Sequence, residues 1–271
     1  MPYRYAFVFL LLIFPLAGLA FWQSYLSGFT TASAEFHAHG VTATLWLVLL
    51  TLQSWSIHNG RPRLHRTLGT ASLALFPLFL AGGSAIFIGM AQRFVSDASP
   101  FYALYAPRLA WLDVFAVLGF AWFYFEGLRN RGEVASHSRW MLATVIFLLA
   151  PIFGRLMPMA IPPLAPTGPD DLWKLGVGFQ IANGLIAVIA FALALRAGRH
   201  ARPFLAAGIL TIAAALFYEF VGGTEAWRAL FARAAVLPWA PMAAVAATFG
   251  IAVATAGWLA ARRPATSAAP A

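Results

Sequence analysis

Six histidines are the residues of this sequence best suited to chemistry, and their spacing sorts them into two layers. His58, His65 and His137 each stand beside arginines at the border of an apolar stretch, and His200 lies in a basic loop. Pro62 suits the first turn of a helix, which would carry His65 inward by a turn, to a depth similar to that of His137. Two imidazoles on helices running the same way can ligate one b-type haem, with His58 as a substitute ligand. Arg66 and Arg139, with Arg63, are placed to pair with the propionates. The same histidines also suit a plainer role at the membrane border, capping helix starts or touching lipid phosphates.

The second layer holds His37 and His39, then Arg108, Asp113, Arg155 and Glu219. Ionisable groups at membrane depth are costly and therefore candidates for function. Arg108 and Asp113 are five apart on one helix, so pairing between helices is expected: Asp113 with Arg155, and Glu219 with Arg108. His37 and His39 are two apart, which on a helix turns them about 200° from each other. They cannot chelate one ion unless the chain unwinds there, and no metal site is assigned. These charges either lock helices together or line an outward-opening ligand site. In the latter, Arg108 or Arg155 holds an anionic group while Asp113, Glu219 and a histidine take up protons. Gln53, Gln180 and Asn183 are expected to hydrogen-bond between helices.

Composition dictates which elements position these groups. Hydrophobic residues make up 61% of the 271 residues and charged residues 10%, with a mean hydropathy of +0.77. A soluble domain carries about 25% charge, so a soluble enzyme, a disordered chain and a nucleic-acid binder are excluded. The net charge of +9 then reads as membrane topology. With no cysteine there is no disulfide, thiolate nucleophile or iron–sulfur cluster. The only lysine, Lys174, stands at a helix start, which argues against a retinal Schiff base, and phosphate-loop and hydrolase signatures are missing.

A bilayer crossing needs about 20 apolar residues, and the stretches 5–26, 38–58, 67–91, 104–125, 140–161, 173–195, 204–221 and 238–260 qualify. The expected fold is an all-α polytopic transmembrane bundle of eight spans, or seven if the first or last is misjudged. Ala32-Ser33-Ala34 fits a cleavage site, but the apolar run before it is long for a signal peptide. Twelve arginines fall on the side shared by the two termini, against six basic residues on the other, which directs both termini to the cytoplasm. One helical domain over 1–263 and a disordered Ala/Pro-rich tail over 264–271 are expected. The partner is the lipid bilayer, with other subunits of a membrane complex as a further class. The expected address is a bacterial inner membrane, because outer-membrane proteins are barrels.

One internal echo stands out. Gly60 precedes His65 by five residues and Gly132 precedes His137 by five; an arginine follows each histidine, and a proline, Pro77 or Pro151, sits further along each span. The segment His37-Ala38-His39-Gly40, Trp46, Gln53, Gly60 and Leu64-His65-Arg66-Thr67-Leu68-Gly69 resembles a group of functionally uncharacterised bacterial multi-pass proteins. In that group a second His-x-Arg follows, as His137-Ser138-Arg139-Trp140-Met141-Leu142 does here, and Arg155 also fits. The resemblance spans residues 36–155. More loosely, the His-Arg-x-Leu-Gly turn is similar to b-type haem membrane cytochromes, which implies haem binding and electron transfer. Cytochromes that carry electrons across the bilayer often place two ligands 13 or 14 residues apart on one helix; fourteen beyond His39 stands Gln53, so the resemblance implies a single haem near the cytoplasmic face. The competing classes are a non-enzymatic bundle that binds or moves a small or lipid-like molecule, and an accessory subunit of a larger complex.

Overall fold

The computed structural model describes residues 3–261, so the tail 264–271 and the last two arginines lie outside the described residues. Ten α-helices follow in order: α1 Ala6–Phe21, α2 Ala34–His58, α3 Pro62–Val95, α4 Pro100–Arg129, α5 Val134–Ala143, α6 Ile146–Ala160, α7 Trp173–Ala197, α8 Arg202–Phe220, α9 Glu225–Arg233 and α10 Trp239–Leu259. No strand occurs among the described residues. Eight helical stretches are long and apolar enough to cross a membrane, α5 and α6 together forming one of them. The protein is an all-α, multi-pass membrane bundle.

Helices α2, α3 and α4 outrun the apolar stretches that announce them. Helix α3 covers 34 residues, roughly 51 Å at 1.5 Å per residue, against a hydrocarbon core of about 30 Å. Its ends carry Arg63 and Arg66 at one side and Arg93 at the other. Hydropathy sees only the apolar middle, whereas backbone hydrogen bonding continues into polar flanks.

Local chemistry sets the ends that matter for function. Gly60 adopts a left-handed φ of 67°, and the Arg61 N–H reaches back to the Ser56 carbonyl at 2.9 Å. This closes α2 with a glycine C-cap. Pro62, with no N–H to satisfy, then opens α3, and the chain reverses tightly enough to lay His65 against α2. At the opposite face the Ser99 hydroxyl accepts from the Tyr102 N–H at 3.5 Å, and Pro100 opens α4. The fifth span breaks between Ala143 and Ile146. There the Thr144 hydroxyl donates to the Met141 carbonyl at 2.7 Å and accepts from the Trp46 indole at 3.2 Å.

Helix α4 runs through the middle, packed on α3, α5, α8 and α10. The core around it is aromatic: Trp46, Phe76, Phe79, Phe120, Phe123, Tyr124 and Trp140 are all buried. Large apolar side chains elsewhere face outward, among them Val188, Ile209, Phe220 and Ile251. In a bilayer these meet acyl chains, and polar groups are the ones turned inward. The connection after α8 is not a plain loop. It contains α9, capped by the Thr224 hydroxyl, with Phe231 buried and the Trp227 indole donating to the Pro107 carbonyl at 2.7 Å. The spacing Trp227, Leu230, Phe231 is the apolar signal that announces it.

Two glycines test this packing. A Cβ at Gly250 of α10 would stand 2.7 Å from the Pro77 Cα, a backbone atom that cannot step aside, whereas one at Gly184 meets nothing within 4 Å. Gly250→Ala is therefore expected to destabilise the bundle by about 1–3 kcal/mol, read as a lower thermal midpoint in detergent. Gly184→Ala should leave that midpoint unchanged.

Candidate functional site

The tight α2–α3 reversal and the α4–α5 turn deliver two histidines to one place. The His65 and His137 ring centres are 6.5 Å apart, with planes at 87°. Each ring is held from behind at Nδ1. His65 points it at the Gln53 carbonyl of α2 at 3.4 Å, and His137 at the Gly127 carbonyl of α4 at 2.8 Å. Gly127 lies in the last turn of α4, where carbonyls lack a helical partner, so His137 caps that helix. A carbonyl can only accept, so Nδ1 carries the proton and Nε2 keeps its lone pair. Among the described residues, the bond at Nδ1 is the one hydrogen bond each ring makes.

Close packing makes this reach available. A Cβ at Gly127 would lie 2.6 Å from the Met141 Sδ, so a larger residue there would push the Met141 side chain aside. Gln53 lies beside α3, its Nε2 3.4 Å from the Cβ position of Gly69, and its Oε1 is buried without a partner.

The remaining members of this layer behave differently. His58 turns Nδ1 to the Ser54 carbonyl of its own helix at 2.7 Å, and its Nε2 is buried without a partner. Arg66 is exposed one position beyond His65. Arg139 donates to the Ala135 carbonyl at 2.7 Å and lies over the Tyr3 ring at 5.2 Å.

At the other face the six candidate residues separate into three groups. His37 bonds the Tyr25 hydroxyl at 2.8 Å and packs on Phe29. Arg108 lies over Tyr218 and donates to the backbone carbonyls of Tyr218 and Glu219, at 3.4 and 3.3 Å. The Glu219 carboxylate instead accepts from Gln180 at 3.0 Å. Arg108 thus serves the C-terminal carbonyls of α8, so the expected carboxylate pairing gives way to helix capping.

His39, Asp113 and Arg155 form the third group. They come from α2, α4 and α6, and the Arg155 charge lies within electrostatic range of both others. Arg155 rests on the Phe21 ring at 4.5 Å and gives one N–H to the Pro151 carbonyl at 2.9 Å. No ion pair within 4.0 Å joins it to Asp113 among the described residues.

A row of aromatic rings leads from His39 into the core. His39 lies 6.1 Å from Phe79, Phe79 is 4.5 Å from Phe120, Phe120 is 6.0 Å from Phe76, and Phe76 stacks on Tyr124 at 4.1 Å. The Tyr124 hydroxyl bonds the Ser72 hydroxyl at 2.8 Å. Asp113, Phe120, Tyr124 and Gly127 follow one another on α4 at intervals of seven, four and three, the spacing of a single helix face.

Comparison with protein-family models, curated proteins and solved structures finds no match. The geometry itself therefore carries the functional argument.

Sequence reasoning overlooked one cluster entirely. Arg93 donates to the Glu35 carboxylate at 3.0 Å and to the Ser33 hydroxyl at 2.9 Å, while Ser33 donates to Glu35 at 2.6 Å. The signal was present: an acid just inside the start of one span and a base just inside the end of the next share a depth. A Cβ at Gly89 would stand 2.8 Å from the Glu35 Cγ, so α2 and α3 close around the pair. Glu35→Ala, which leaves the Arg93 guanidinium half-buried and unpaired, should cost about 1–3 kcal/mol, measured as a drop in thermal midpoint. Trp46→Phe, which removes the indole bond to Thr144, should cost about 1 kcal/mol in the same assay.

Proposed function

We propose that this integral membrane protein holds one b-type haem between His65 and His137 and acts in electron transfer. The observation that carries the reading is the paired imidazoles, both tied at Nδ1 to backbone carbonyls and neither making another hydrogen bond among the described residues. Imidazoles that ligate metals almost always donate their other N–H to such an acceptor, which fixes tautomer and ring direction. The two rings stand close enough, 6.5 Å between centres, that His65 and His137 would be the residues to hold one iron. The resemblance of Leu64-His65-Arg66-Thr67-Leu68-Gly69 to b-type membrane cytochromes implies the same cofactor.

Haem iron supplies one-electron redox chemistry when it is bound. The chain's own contribution is positional. The Gly127 carbonyl orients the His137 ring, the Gln53 carbonyl orients the His65 ring, and the α2–α3 reversal at Gly60 sets the depth of His65. Arg66, exposed on the adjacent turn, is the cation available to a propionate; Arg139 is engaged with its own helix. Both termini on the cytoplasmic side of a bacterial inner membrane would put this site at the cytoplasmic face.

Detergent-purified protein, expressed with haem supplied, is expected to show a Soret band that shifts on dithionite reduction. His65→Ala and His137→Ala should each lose or strongly weaken it, and Arg66→Ala should retain colour with weaker haem retention. A colourless wild type would overturn the reading, as would a spectrum that neither histidine variant alters.

A further inference from the structure

We propose that the space between His39, Asp113 and Arg155 is a water-filled inlet, opening on the face opposite the histidine pair and reaching the interior of the bundle. Three observations carry it. First, the polar groups converge there without satisfying one another. Among the described residues, apart from the single bond from Arg155 to the Pro151 carbonyl, no protein hydrogen bond engages the guanidinium; none engages the Asp113 carboxyl, and the buried His39 Nδ1 has no partner. Second, all three side chains are only half-buried and each keeps solvent-accessible surface, unlike the neighbouring core ring of Phe120. Packed core residues lose that surface; residues lining an internal crevice keep it. Third, the groups come from three different helices, and the Arg155 charge acts on both His39 and Asp113.

A guanidinium and a carboxyl left unanswered at this depth would cost several kcal/mol each. Water removes that cost, since it accepts from Arg155 while donating to Asp113. Asp113 stands thirteen residues beyond Pro100, about 20 Å along α4 at 1.5 Å per residue. In a hydrocarbon core of about 30 Å, the inlet therefore ends deep in the membrane. Tyr102, one of the charged or polar groups within electrostatic range of Arg155, stands nearer the mouth together with the Arg93–Glu35 pair, because all three lie at helix ends on that face. The inlet brings solvent and protons from one face to the Asp113 side chain of α4.

The natural absence of cysteine makes the test direct. His39→Cys and Asp113→Cys, introduced singly, are exposed to a membrane-impermeant methanethiosulfonate in spheroplasts and in inverted vesicles. Such reagents attack the thiolate, which forms only where water reaches the sulfur. Both cysteines are expected to react from one side only. Leu118→Cys, on the lipid-facing surface of α4 (58% exposed), and Phe120→Cys, in the core (1% exposed), are expected to stay unlabelled. If either cysteine variant fails to elute as a single species, hydroxyl-radical footprinting of the unaltered protein replaces it, with oxidation expected at His39 above that of the core ring Phe120. Unlabelled cysteines at both positions in folded protein, or footprinting at His39 no higher than at Phe120, would overturn the inlet.

Discussion

Hydrocarbon offers no hydrogen bonds, and that constraint orders the rest of this structure. A polar group that leaves water must find its partner inside the protein or keep some water with it. Here the first solution dominates. Arg93 has Glu35 and Ser33, Arg108 has the C-terminal carbonyls of α8, Tyr124 has Ser72, and Trp46 has Thr144. Against that background the groups without partners become informative, because each carries a cost that packing alone does not repay.

Two of the places where such groups occur, around Gln53 and His58 and around His39, bracket the stretch of α4 from Asp113 to Gly127. At one end its last turn gives the Gly127 carbonyl to His137; further along the same face stand Tyr124, Phe120 and Asp113. The aromatic rings between them form a dry, rigid centre. A rigid centre suits a site whose ligands must hold their angle, and α4 fixes one of the two imidazoles through a bond of only 2.8 Å. A larger residue in place of Gly127 would push the Met141 side chain aside.

Much of the fold was legible in the sequence, because hydropathy and charge are properties of stretches. All eight membrane-capable segments were readable from apolar runs, and Gly60 followed by Pro62 announced the α2–α3 turn. Segment ends were less so, since helices continue into polar flanks, and α9 was missed because a nine-residue amphipathic helix leaves little apolar signal. The histidine pair was legible too: two loops with the same Gly, His and Arg spacing delivered their imidazoles to one place. Pairings across the bundle were not. Sequence spacing gives depth but not azimuth, so Glu219 was matched to Arg108 when the nearer partner was Gln180, and Glu35 and Arg93, at equal depth, went unpaired.

The central proposal is that His65 and His137 together hold one haem. Electron paramagnetic resonance of the oxidised, purified protein tests it most directly, because two imidazole ligands give a low-spin ferric signal. Ring planes at 87° further predict the strongly anisotropic form of that signal, characteristic of near-perpendicular ligand planes, and its loss in His65→Ala and in His137→Ala. A high-spin signal from haem-loaded wild type, or a low-spin signal that survives both substitutions, would contradict the account.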